Sequence, residues 1–243
     1  MARYQIILAY DGTDFSGFQR QARGRQSRTV QGEFEAAIRR IGWRGERILA
    51  AGRTDAGVHA AGQVVSFDLE WNHDDDDLLA AINAFLPQDM AVRHVKQFNP
   101  DFHPRHDALA RSYCYRIFYQ PVRDPLRERY AWRVWPQADF DRLRAAAALL
   151  VGKHDFRAFG TPSYAGGSTV RQVEEATWMQ QMDEVVFHIT GNAFLYRMIR
   201  KLVAFQVKIG QRSFGIEALA RCLQTGDKDL IKNIAPACGL NLV

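Results

Sequence analysis

The chain has 243 residues, 47% of them hydrophobic, and a formal net charge of +5, which is enough apolar material for a sizeable core in one large or two small domains. No apolar run approaches the ~20 residues of a membrane helix, and the opening MARYQIILAYDG lacks the basic-then-apolar order of a secretory signal, so a folded cytoplasmic protein is expected. Cys114, Cys222 and Cys238 form no CxxC pair, which points away from a disulfide framework or a cysteine zinc site; the positive charge is compatible with a polyanionic partner without singling one out.

In chain order, YQIILAY reads as a strand, Thr29 as an N-cap, and Val30, Phe34, Ala37, Ile38 and Ile41 fall at helical spacing before ERILAAG turns extended. QVVSFDL is a further strand. Asp74 to Asp77 then stand where the positive end of a helix dipole favours them, ahead of Leu78, Leu79, Ile82, Phe85 and Leu86, and Pro87 stops that helix. The proline-bearing QFNPDFHPRHDALA, residues 97–110, loses periodicity and is read as a boundary, dividing the chain into halves at 1–104 and 105–243. RSYCYRIFY alternates with strand period; Phe140, Leu143, Ala147 and Leu150 predict a helix; EEATWMQQ and EVVFHIT predict a hairpin. Phe194, Met198, Leu202 and Phe205 mark the apolar side of a later helix whose other side carries Arg197, Arg200, Lys201 and Lys208. The shared order of elements predicts an α+β protein in which both halves contribute strands to one sheet with helices packed on a face.

The chemistry narrows by exclusion. Gly52 and Gly57 have P-loop spacing, but Val58 and His59 stand where Lys and Ser/Thr are required. The HxE and PCxxC of a zinc deaminase are missing, His103 and His106 are interrupted by Pro104 and so make a poor metal pair, and a dinucleotide fingerprint is absent. What remains is AAGRTDAGVHAAGQ, residues 50–63, with glycines at 52, 57 and 62 and with Arg53 and Asp55 between the first two. Asp-Ala-Gly is favourable turn chemistry by itself. A carboxylate on a loop between strands is also a candidate nucleophile toward an electrophilic sugar or heterocycle carbon.

AGRTDAGVHA resembles the signature of the TruA family of tRNA pseudouridine synthases. The likeness runs on through YDGTDFSGFQRQ, NAFLPQDMAV, DFHPRHDALARSYCYRI, GKHDFRAF, GNAFLYRMIRKLV and the closing GLNLV, and so spans nearly the whole chain. It implies a pseudouridine synthase-like fold, two α/β halves sharing a mixed, mostly antiparallel central sheet with helices packed on it. It further implies isomerisation of uridine to pseudouridine at positions 38, 39 and 40 of the tRNA anticodon arm, a homodimer, no cofactor and no membrane. Synthesis of pseudouridine at other RNA positions, or tRNA binding or folding without catalysis, are the alternative readings.

By the same resemblance Asp55 is the catalytic nucleophile, with Tyr113 and Arg200 as its catalytic companions. The carboxylate either traps C1′, abstracts a 2′ proton to give a glycal, or adds to C6. Tyr113 is suited to stacking on uracil, since a phenol with a pKa near ~10 is a poor base at neutral pH; Tyr115 and Tyr119 are read as aromatic core. Arg200 would keep the carboxylate ionised. Arg53 is assigned to fill the stack left by a flipped uridine, Leu240 to pack against the uracil or in a last strand, and Arg20, Arg197 and Lys201 to contact RNA. Two departures from the family stand out: Phe18 replaces a tryptophan, and the sequence stops at Val243 where relatives continue the last strand.

Overall fold

Nine residues that alternate between half-buried and buried, Ala2–Tyr10, form the first strand, β1, of the computed structural model, which describes residues 1–21 and 27–243. Tyr4, Ile6, Leu8 and Tyr10 point inward, as a strand with one packed face requires. α1 (Val30–Arg40), β2 (Leu49–Ala50), β3 (His59–Leu69), α2 (Asp75–Asn83) and β4 (Met90–Phe98) follow. They build the first of two compact units, Met1–Ala108 with Asn241–Val243. Its strands run β4-β1-β3, with Ile6 opposite Val65 of β3 and Val95 of β4, both antiparallel. β2 pairs antiparallel with β3 at Ser66 and Val65, while Asn241 and Leu242 pair in parallel with His59 and Ala60 at its start.

Thr29 caps α1 by accepting the Gly32 amide, as expected for a Thr at that position, and Phe34 and Ile38 are fully buried, Phe34 edge-on to Phe67 at 5.9 Å. Asp74 caps α2 from Asp77 N–H, and Asp75, Asp76 and Asp77 fill its first turn. This helix is shorter than its sequence suggests. It ends at Asn83, whose side chain accepts from Val92 N–H (2.8 Å) and donates to Val92 C=O (2.9 Å), so its last residue is pinned to β4. Phe85 is left exposed beneath the Arg40 guanidinium.

The second unit is Leu109–Leu240. It contains β5 (Arg111–Tyr119), β6 (Trp132–Val134), α3 (Phe140–Ala148), β7 (Gly152–Asp155), β8 (Val170–Gln181), β9 (Glu184–Gly191), α4 (Met198–Gly210), α5 (Glu217–Thr225) and the start of β10 (Leu240–Leu242). β5, β9, β8 and β7 are antiparallel neighbours in that order, and β6 joins β5 in parallel. The predicted β8–β9 hairpin is present, turned by Met182 at φ 53°. Trp178 of β8 donates to Gln206 of α4 at 2.9 Å in the buried interior, tying helix to sheet with both polar groups satisfied.

α4 differs from its predicted form. It begins at Met198, so Phe194 and Arg197 precede it, and ten of its thirteen residues are buried, leaving no broad polar side. Three cations, Arg200, Lys201 and Lys208, are its half-exposed residues. Both units are α+β with mixed, mainly antiparallel pairing, and among the described residues no helix is long and apolar enough to cross a membrane.

Candidate active site

Asp55 is half-buried in the loop between β2 and β3, and the backbone on both sides of it is fixed. Thr54 C=O accepts Phe18 N–H (3.1 Å), Gly57 N–H donates to Phe15 C=O (3.3 Å), and Val58 N–H closes a turn onto Asp55 C=O (3.2 Å). The Thr54 hydroxyl meets the Tyr10 hydroxyl at 2.8 Å, both residues buried. Gly12 N–H donates to Nδ1 of His59 at 3.0 Å. The loop carrying the carboxylate is therefore clamped against residues 12–18.

Of the three glycines around Asp55, Gly57 takes φ +77°, a left-handed conformation that glycine adopts without strain. Gly62 lies where a Cβ would stand 2.9 Å from the Val243 carbonyl carbon. Gly52 only offers its carbonyl to the Gln63 side chain (3.0 Å). Two further glycines are in the opposing loop: a Cβ on Gly12 would collide with the Val58 carbonyl, and Gly17, at φ +100°, has Thr54 C=O and Ala56 N–H at 3.1 and 3.3 Å from its Cβ position. Phe18 is buried against Tyr10, ring centroids 6.5 Å apart, so the residue that departs from the family pattern packs behind the loop.

Arg53 is exposed. Arg20 forms an ion pair at 3.0 Å with Glu35, a buried carboxylate that also accepts Gln31 Nε2 (2.8 Å) and the Ile48 amide (3.3 Å) and has Arg39 at 3.6 Å. Part of the Arg20 guanidinium thus anchors the chain after residues 12–18 onto α1.

The second unit gathers Arg200 and the segment leading to Leu240. Arg200 Nε donates to Ala235 C=O (2.8 Å), and Ala235 N–H returns to Arg200 C=O (3.1 Å). Tyr115 donates to Pro236 C=O (2.8 Å), and its ring fills the space where Gly239 would carry a Cβ. Burial pushes the Tyr115 phenol well up, the nearby Cys238 adding to this and the Arg200 charge opposing it. Leu240 follows, buried, after a 3₁₀ turn at Ala237–Gly239. Tyr113 is buried on the same face of β5 as Tyr115, edge-on to Phe194 at 5.4 Å. Tyr119 is half-buried and donates to Ala138 C=O at 3.4 Å, its phenol pushed up to about 12 by burial. Arg197 is exposed ahead of α4, and burial, reinforced by the charges of Lys228 and Arg197, pushes the Lys201 ammonium below its ordinary range.

The sequence pattern described as tRNA pseudouridine synthase matches residues 6–107 and 146–243. The chain belongs to the tRNA pseudouridine synthase family. This tRNA pseudouridine synthase family member is similar along its full length to the protein named tRNA pseudouridine synthase A of Limosilactobacillus fermentum, at 38% identity and 95% coverage of that protein. Its similarity to the protein of the same name is 40% in Brevibacillus brevis and 38% in Pseudothermotoga lettingae, in each case over 100% of this chain and 98% of the other.

Tyr10, Gly12, Gly17 and Thr54 shape the site of this tRNA pseudouridine synthase family member without having been assigned a role from sequence. Their signal is present in YDGTDFSG, where a glycine stands two residues after the strand's last residue and another five positions later. Only the partner loop shows that this spacing serves close backbone approach.

Proposed function

We propose that the chain isomerises uridine to pseudouridine in tRNA, at positions 38, 39 and 40 of the anticodon arm, with Asp55 as nucleophile. The observation that carries this reading is the mounting of Asp55: an acid in a family-matching chain, on a loop locked by the Thr54, Gly57 and Val58 backbone bonds and the Tyr10–Thr54 hydroxyl pair. A nucleophile gains rate from such pre-set geometry, whereas a structural turn needs no clamp on either side.

The reaction breaks the N1–C1′ bond, turns the uracil, joins C5 to C1′ and releases the C5 proton. Asp55 acts at C1′, at the 2′ hydrogen or at C6. Tyr113 supplies an aromatic face for the uracil and Arg200 a positive charge that favours the ionised carboxylate. Arg53, exposed two residues before Asp55, takes the place of the base that leaves the stack, and Leu240 supplies apolar surface to the uracil. Arg20, Arg197 and Lys201 hold phosphates. The working form in this reading is a cytoplasmic homodimer that needs no cofactor, which light scattering of the purified chain and assay in chelator test directly.

Asp55→Asn preserves side-chain size and removes the nucleophile. Pseudouridine formation in unmodified tRNA should then disappear while tRNA affinity stays close to that of the parent. Residual turnover within a few-fold of the parent would refute the assignment of Asp55. Pseudouridine appearing outside positions 38–40 would move the enzyme to another RNA site.

A further inference from the structure

Four side chains without a place in the catalytic chemistry are linked in the second unit, Arg197 by its contact with the Tyr196 ring and Lys201 by the charges of Arg197 and Lys228. Tyr196 and Arg197 lie between β9 and α4, Lys201 follows in the first turn of α4, and Lys228 comes from the segment after α5. The Tyr196 backbone is pinned: its N–H donates to Thr161 C=O (2.9 Å) within an isolated β-bridge. Gly160 approaches so closely that a Cβ there would stand 2.9 Å from the Tyr196 carbonyl oxygen and 2.5 Å from Leu195 Cβ. The ring itself is exposed, at 53% for the residue, and the Arg197 guanidinium lies over one side, 4.7 Å from the centroid. An aromatic ring on a fixed backbone is a stacking surface that loses little freedom when used.

The charges around it are unbalanced. Among the described residues no carboxylate stands within ion-pairing distance of Arg197, Lys201 or Lys228. Asp227 flanks Lys228 but accepts the Asp229 amide at 2.8 Å. The Lys201 ammonium, already disfavoured by burial, also feels the positive charges of Lys228 and Arg197. Nothing in the helix calls for this cluster: the first turn of α4 has no acid, and cations there oppose the helix dipole. Arg197 in addition adopts φ +62°, a conformation that is unfavourable for any residue with a Cβ. A polyanion would relieve the repulsion, and the exposed ring adds a preference for an unstacked base.

We infer that Tyr196, Arg197, Lys201 and Lys228 form a subsite for a single-stranded nucleotide of the RNA substrate, its base stacked on the open side of Tyr196 and its flanking phosphates on the three cations. The recognition groups are side chains from two segments, not helix amides. This subsite rests on the tRNA reading given above and extends it, because it calls for a loop nucleotide in addition to the one that reacts.

The test measures binding of the full chain to unmodified tRNA, to an anticodon-arm hairpin and to a blunt duplex of the same stem, over a range of salt. Tyr196→Ala should weaken binding of tRNA and hairpin by roughly 5- to 100-fold, the loss expected for one base–aromatic stack. Tyr196→Phe should stay within about twofold, as a neutral surface change does. The duplex, which has no unstacked base, should bind the parent and Tyr196→Ala alike. Lys228→Gln should lower the slope of log affinity against log salt by about 0.7, one phosphate contact on a single strand.

Arg197→Gly should raise Tm by roughly 2–4 °C by relieving the left-handed residue and still weaken tRNA binding, a combination that a purely structural Arg197 would not give. Equal tRNA binding by the parent and Tyr196→Ala, or an unchanged salt slope in Lys228→Gln, would overturn the subsite. Competition by polyglutamate as effective as by RNA of equal charge would overturn the stacking and leave a surface that reads charge alone. Pseudouridine formation by the parent is measured in parallel. Its absence refutes the tRNA reading, whereas its presence with unaffected variants refutes only the subsite.

Discussion

Tyr10 and Thr54 join two buried hydroxyls at 2.8 Å one residue before the proposed nucleophile. Tyr10→Phe leaves the Thr54 hydroxyl without that partner in a dry place, which costs about 1–2 kcal/mol, and lets the Asp55 loop shift. Because small displacements of a reacting group reduce rates by up to about 100-fold, single-turnover rates at saturating tRNA should fall by roughly 10- to 100-fold while tRNA affinity changes little. An unchanged rate would show that the hydroxyl pair serves the fold alone. A second expectation concerns Arg53, which is exposed and is proposed to fill the stack left by the flipped uridine. Arg53→Lys keeps the charge and loses the plane, so activity on a paired target should fall strongly, and a mismatched target, which is easier to unstack, should recover part of the loss. Equal proportional losses on both RNAs would exclude flipping as its role. At this scale Asp55 was singled out by the family resemblance, since a carboxylate in a glycine-rich loop is by itself equally good turn chemistry. Thr54 and Tyr10 stayed hidden, because a hydroxyl pair between residues 44 positions apart has no local signature.

The loop at 51–58 and the loop at 12–18 act as one element, and their contact demands glycine at a position that a glycine elsewhere in the unit does not match. At Gly12 an added methyl group would collide with the Val58 carbonyl, whereas Gly42, at φ +99°, has no atom within 4 Å of its Cβ position. Gly42→Ala should therefore cost about 1–2 kcal/mol of backbone strain and leave activity intact. Gly12→Ala should cost more than that and also abolish turnover, because the displaced backbone is the one that carries Asp55. Chemical denaturation and a tRNA assay on the two variants separate the outcomes. Regular elements were legible wherever one face is packed: β1, α1 and the β8–β9 hairpin follow their periodicity. The α4 helix was legible too, but its start and its lack of a broad polar side were not, because ten of its thirteen residues are buried and its start after Arg197 is made by a left-handed arginine where glycine or asparagine would be the usual signal. The early end of α2 is likewise set by a tertiary contact, Asn83 to Val92.

Across the first unit, two arginine–carboxylate forks join distant segments: Arg3 with Asp68 at 2.6 and 2.8 Å, and Arg28 with Asp89 at 2.5 and 2.8 Å. Each guanidinium holds its partner carboxyl below the usual range, the hydrogen bond being the main cause. The folded carboxyl pKa values lie beneath the unfolded value of about 4. These forks therefore stabilise the fold above that pH, and their contribution is lost as the pH falls through the folded values. Asp89→Asn should lower stability by about 1 kcal/mol near neutrality and flatten the decline below pH ~4, which thermal melts across pH 2.5–7 would show; a decline as steep as the parent's would remove this pair from the acid response. At the level of the whole chain, an excess of positive charge predicts tRNA affinity that falls as salt rises, and affinity indifferent to salt would contradict phosphate contacts as the main attraction.

Asn241 and Leu242 lie in parallel beside His59 and Ala60, so the first unit borrows a strand made only after all of the second has been translated. A ribosome adds residues at about 5–20 per second, and for several seconds the nascent β3 has its amino-terminal edge uncovered, with backbone donors and acceptors that invite another chain. The second unit is contiguous in the sequence and suffers no such delay. Synthesis thus reverses the order of the sequence: the part made first is finished last, and a chain broken off before Asn241 would hold both of the loops around Asp55 without the strand that flanks them.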